Sequence, residues 1–71
     1  MKIGMMWEDT SKNTFEQKCN RAIAYYTEKY GERPTEIWVH PKTAITEISG
    51  IAIRQSRSVL PNHFWVGISE E

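Results

Sequence analysis

One cysteine in 71 residues, Cys19, leaves the chain without an internal disulfide. A usual support of very small domains is therefore missing, and packing or a partner has to replace it. Long apolar runs are missing too. No stretch approaches the ~20 apolar residues of a membrane span, and the opening "MKIGMMW" has neither the apolar run nor the small-residue cleavage site of a secretion signal. A cytoplasmic protein with no membrane contact is expected. No charge sign dominates: nine basic residues balance nine acidic ones, so no global field draws the chain to nucleic acid or anionic lipid, and such binding would need a local patch. The glycines at 4, 31, 50 and 67 are too dispersed to cradle a phosphate. Repeats, low-complexity tracts and linkers are absent, so residues 1–71 read as a single small domain with one core. A chain this short buries only about 60% of its unfolded surface.

The clearest element lies between Asn13 and Gly31. Phe15, Cys19, Ala22, Ile23, Tyr26 and Tyr30 fall at i, i+4, i+7, i+8, i+11 and i+15, which is one stripe of a 3.6-residue helix. Lys18, Arg21, Glu28 and Lys29 then point largely to water. Two capping boxes compete for its start, Asn13 with Glu16 and Thr14 with Gln17. Gly31 suits a left-handed residue after the last turn, and Pro34 forbids continuation.

After Pro34 the period changes from 3.6 to 2. In "TEIWVH", Ile37 and Val39 alternate with Trp38 and His40; in "GIAIRQS", Ile51 and Ile53 alternate with Ala52 and Arg54. In "HFWVGIS", Phe64, Val66 and Ile68 alternate with His63, Trp65 and Gly67. "LPNH" reads as a turn, with Pro61 presetting φ and Asn62 tolerating the left-handed region, so the last two strands are expected to form a hairpin. "KIGMMW" is a candidate first strand with Ile3 and Met5 inward, and "PKTAITEIS" is either a loop or one short helical turn. The span from His40 to Gly50 suits a parallel crossover or an antiparallel return, which leaves strand order open. The fold class is α+β, with one main helix packed on one face of a three- or four-stranded, mostly antiparallel sheet.

One helix covers one face of such a sheet. Its stripe must bury against the face rich in Ile37, Val39, Ile51, Ile53, Phe64, Val66 and Ile68. The opposite face inherits Trp38, His40, Arg54, His63 and Trp65, and these five residues form the expected binding face. Two tryptophans in open water would be an apolar patch without a purpose, so something should cover them. The candidates are a second copy of the chain, another macromolecule, or the N-terminal segment with Met5, Met6 and Trp7 folded across.

The run "YYTEKYGERPTEIWVHP", a following "G-I-x-I" strand and "VLPNHFWVG" together resemble a family of short uncharacterised bacterial and archaeal proteins. That resemblance spans the helix through Gly67 and implies no particular activity. A shorter pattern, helix, "P-x-x-I-x-V-x-P" strand, "G-I-x-I" strand, proline turn and "V-G" strand, is similar to a segment of tailed-phage coat proteins. It implies a structural protein of mobile-element origin and transfers no residue roles.

Chemistry-bearing constellations are scarce. His40 and His63 lack the paired cysteines or spaced carboxylate of a zinc site. Ser56 or Ser58 with His63 lacks a nucleophile elbow and an oxyanion loop. Cys19 lies within the helical stripe, where an inert buried thiol is expected. No catalytic residue, metal or cofactor is expected. The leading expectation is a non-enzymatic protein-interaction module that forms a homodimer through the helix-free face, because Trp and Arg are enriched in interface hot spots. The alternative is a single-stranded nucleic-acid-binding module using Trp38, Arg54 and Trp65, with bases stacked on the indoles.

Overall fold

The computed structural model describes residues 3–69. Strand β1 covers Ile3–Glu8, helix α1 Phe15–Tyr30, β2 Glu36–Val39, β3 Ala52–Gln55 and β4 His63–Ile68. Of the two capping boxes open to the sequence, the chain uses the second. The Gln17 N–H donates to Thr14 Oγ1 at 3.2 Å, and the Thr14 N–H donates to Gln17 Oε1 at 3.0 Å, so two N–H groups with no partner inside the helix are satisfied. Asn13 stays outside, its N–H given to Ser11 Oγ. The last turn closes at Gly31, which takes φ 78° and donates its N–H to the Thr27 carbonyl at 2.8 Å. A side chain at that position would be strained, which is why glycine ends the helix there.

The stripe meets the sheet as its spacing requires. Cys19, Ala22, Ile23 and Tyr26 are buried, Phe15 is half-buried with its ring 5.9 Å from that of Phe64, and the Tyr30 ring lies tilted against that of Tyr26 at 4.6 Å near the solvent edge. Opposite them lie Ile37, Val39, Phe64 and Val66, joined by Ile48 and Ile51 from the connection after β2. That connection is a loop rather than a helical turn, closed by a bridge between Ile48 and Ile51. Each large side chain buried this way contributes on the order of 1.5–3 kcal/mol. Burial pushes the Cys19 thiol up to about 12, so it is the protonated, unreactive form that fills the core.

The sheet order is β1-β4-β2-β3. β4 runs antiparallel to both of its neighbours, and β2 pairs with β3 in parallel, so the sheet is mixed but mostly antiparallel. The first candidate strand is therefore real, with Met5 packed against the core; the inward placement expected of Ile3 lies outside the described side chains.

The expected hairpin between the last two strands does not form. β3 and β4 are separated by β2, although Asn62 does take the left-handed φ of 66° that the turn reading required. Two differences in composition account for this. In "HFWVGI" Phe64, Val66 and Gly67 are buried and the remaining residues half-buried, so the strand gains most from neighbours on both edges. In "AIRQ" Ala52, Arg54 and Gln55 are exposed, which suits the edge of a sheet. The chain after β3 accordingly crosses the end of β2 to reach its far side.

Ile23 lies in the middle of the buried stripe with 6% of its surface exposed. Ile23→Ala is expected to cost about 2–5 kcal/mol, a large share of the stability of so small a domain. Chemical denaturation of mutant and parent measures it, and superimposable curves would remove Ile23 from the core.

Candidate functional site

Strand register assembles the helix-free face row by row. Met6 on β1 faces Trp65 on β4, Trp65 faces Trp38 on β2, and Trp38 faces Arg54 on β3, so four side chains form one line across all four strands. The flanking row runs Gly4, Gly67, Glu36 and Ala52. β1 splits its aromatic and thioether side chains between faces. Met5 and Trp7 pack against the core, with the Trp7 ring 5.2 Å from Tyr25, whereas Met6 lies on the other side with 52% of its surface exposed. The N-terminal segment is thus a strand of the sheet and does not fold across the tryptophans.

Their cover comes from a different quarter. The connection from β3 to β4 turns twice, through Val59 N–H to the Ser56 carbonyl and His63 N–H to the Leu60 carbonyl. In passing it sets Val59, only 5% exposed and apart from the main core cluster, beside Trp38 and Trp65. Trp38 and Trp65 are half-buried as a result. A groove of about 280 Å³ remains, lined by Met6, Trp38, Trp65 and Val59 with Ser56 and Ser58 at its margin. The indole Nε1 of Trp38 is buried without a hydrogen-bond partner among the described residues, and a buried donor left unpaired costs about 1–3 kcal/mol.

Gly4 is what lets Trp65 lie down. A Cβ at that position would fall inside the indole ring, so the absence of a side chain is a packing requirement of the face.

The five residues expected on this face do not all meet. Trp38, Trp65 and Arg54 share the central row. Arg54 Nε lies 3.4 Å from Glu36 Oε1, with the Arg54 side chain 56% exposed and that of Glu36 only 7%. Arg54 is therefore the counter-charge of a buried carboxylate as well as a surface cation. His63 faces Glu8 one row away, and its Nδ1 lies 2.9 Å from the Pro61 carbonyl. His40, beyond the end of β2, lines a different cavity with Phe15 and Phe64. The sequence named Met6 only within a segment folded across the tryptophans, and it gave no role on this face to Gly4 or Val59. Met6 was legible from its alternation with Met5 and Trp7, but Gly4 and Val59 depend on a strand order that no periodicity reveals.

Among the described residues no three His, Cys, Asp or Glu side chains converge as a metal site needs, and no helix is long and apolar enough to cross a membrane. Compared with known proteins, the chain matches no family model, no curated protein and no solved structure. The reading of the site thus rests on its own geometry.

Gly4→Ala is expected to push the Trp65 indole off the sheet and to destabilise the fold by about 1–3 kcal/mol, as overpacking does. Indole proton shifts assigned to Trp65, followed with a denaturation curve, check both effects; an alanine variant with the parent's shifts and stability would contradict the packing.

Proposed function

We propose that the chain is a small non-enzymatic interaction module that pairs with a second copy of itself through the helix-free face of its sheet. The observation that carries this reading is the juxtaposition of Met6, a large apolar side chain half in solvent, with an apolar groove floored by Trp38 and Trp65. A two-fold interface brings the same patch to itself, so it needs a projection and a recess on one surface, and this face has both. Met6 of each copy fits the recess of the other, since its unbranched thioether adapts to irregular apolar gaps and packs well on aromatic rings. Arg54 at the end of the row supplies a polar rim.

A second reading is favoured by one observation. Trp65, Trp38 and Arg54 stand adjacent in cross-strand register, the order a single-stranded nucleic acid would need for successive stacking and a phosphate contact. Two features weigh against it: Val59 occupies part of the stacking surface, and Arg54 is already engaged by Glu36.

Sedimentation across a wide concentration range, with and without a single-stranded oligonucleotide at low salt, tests both readings. The parent is expected to approach twice its monomer mass, and Met6→Glu to weaken pairing about 30-fold or more, as loss of an exposed hot spot does, while its unfolding curve matches the parent's at concentrations where both are monomeric. Met6 is a cleaner probe than Arg54, whose reversal would place a second carboxylate against buried Glu36. A parent that stays monomeric throughout overturns self-pairing, and one that binds the oligonucleotide as a monomer establishes the second reading instead.

A further inference from the structure

His40 leads to a second cavity, on the helix side of the molecule. A space of about 310 Å³ opens between the first turn of α1 and the loops that follow β2 and precede β4. Its apolar wall is built by the rings of Phe15 and Phe64, with Pro61 and Ala44 beside them. Its polar wall carries Lys18, Lys42 and His40, and among the described residues no acidic side chain lines it. We propose that this cavity binds a small organic anion, a carboxylate or phosphate group borne on an aromatic or similarly compact apolar body.

The charge argument comes first. Among the described residues neither Lys18 nor Lys42 makes a hydrogen bond or ion pair through its ammonium group. Asp9 is near enough for Lys18 to act on its charge, yet it does not line the cavity, and its Oδ1 accepts the Ser11 N–H at 2.9 Å. The Ser11 hydroxyl and N–H hold the Asp9 carboxyl below its ordinary range, with Lys18 and Arg21 adding to the effect. Two ammonium groups thus line an apolar recess, and the carboxylate on which Lys18 acts, Asp9, is not part of that lining.

His40 adds a further polar group. Its Nδ1 accepts the Lys42 N–H at 3.0 Å, so a neutral ring carries its proton on Nε2 and presents a donor there. A second bond in the same loop, Thr43 N–H to the His40 carbonyl at 2.9 Å, holds the segment in place before any ligand arrives. A preformed loop lowers the ordering cost of binding. The positive end of α1, which begins at Phe15, favours negative charge at the same end of the cavity. The volume lies at the lower limit of small-molecule sites, which restricts the ligand to roughly one ring and its charged group.

This site is independent of the tryptophan face, and its test leaves the oligomeric state aside. The intact chain, labelled with ¹⁵N, is titrated with phenyl phosphate, with phenylacetate and with benzyl alcohol as an uncharged match. Saturable shifts of the Phe15, Lys42, Thr43 and Asn62 amides are expected with an aromatic anion, and the tighter of the two anions names the charged group. Lys18→Gln and Lys42→Gln are each expected to weaken that binding about fivefold or more, the effect of removing one nearby charge. Resonances remote from the cavity report whether the variants remain folded. No saturable shift with either anion, an equal response to benzyl alcohol, or glutamine variants that bind as the parent does would each overturn the proposal.

Discussion

The position of β4 between β1 and β2 governs the rest of the molecule. Like β2 it has no exposed position, and its Phe64 and Val66 meet the helix while Trp65 looks the other way. A strand apolar on both faces is best placed where two neighbours and two layers shield it. Once β4 is central, β3 is confined to the far edge beyond β2, and the parallel pairing of β2 with β3 follows from the loop that carries Ile48 and Ile51 into the core. The passage from β3 to β4 must then cross β2, and its crossing brings Val59 to the tryptophans.

That crossing divides the surface into two regions of different chemistry. On the helix-free face, Val59 leaves the half-buried indole pair a groove with Met6 at its rim, a shape suited to another apolar surface. On the other side, the same connection delivers Pro61 and Asn62 to the cavity of Lys18, His40 and Lys42, where charge and an aromatic wall coincide. One seven-residue segment, 56–62, thus borders both candidate sites, and it has no regular secondary structure of its own. Binding surfaces commonly sit on loops held by a rigid scaffold.

What was legible in the sequence followed from local physics. The helix, its glycine stop, its buried stripe and the inward residues of β2 and β4 come directly from 3.6- and 2-residue periods, because burial on one side is a local pattern. The same logic set Trp38 and Trp65 on the face away from the helix. Neighbour relations were not legible. "LPNH" has the turn residues of a hairpin, and Asn62 adopts the conformation they imply, yet the strands on either side of it do not pair. Turn chemistry specifies a bend, whereas pairing is decided by how much apolar surface each strand can bury, which is a comparison across the whole chain. His40 shows the cost of extending a period too far: the alternation of β2 ends at Val39, and one residue later the side chain belongs to another site.

Both surfaces depend on the strand order, and cross-strand proton contacts measure it most directly. In a nuclear Overhauser spectrum of the intact chain, backbone contacts are expected to link Trp38 with Trp65 and Ile37 with Val66, and a separate set to link Met6 with Trp65. Contacts between the backbones of β3 and β4, as a hairpin closed at Pro61 and Asn62 would give, together with loss of the Trp38 to Trp65 set, would contradict it.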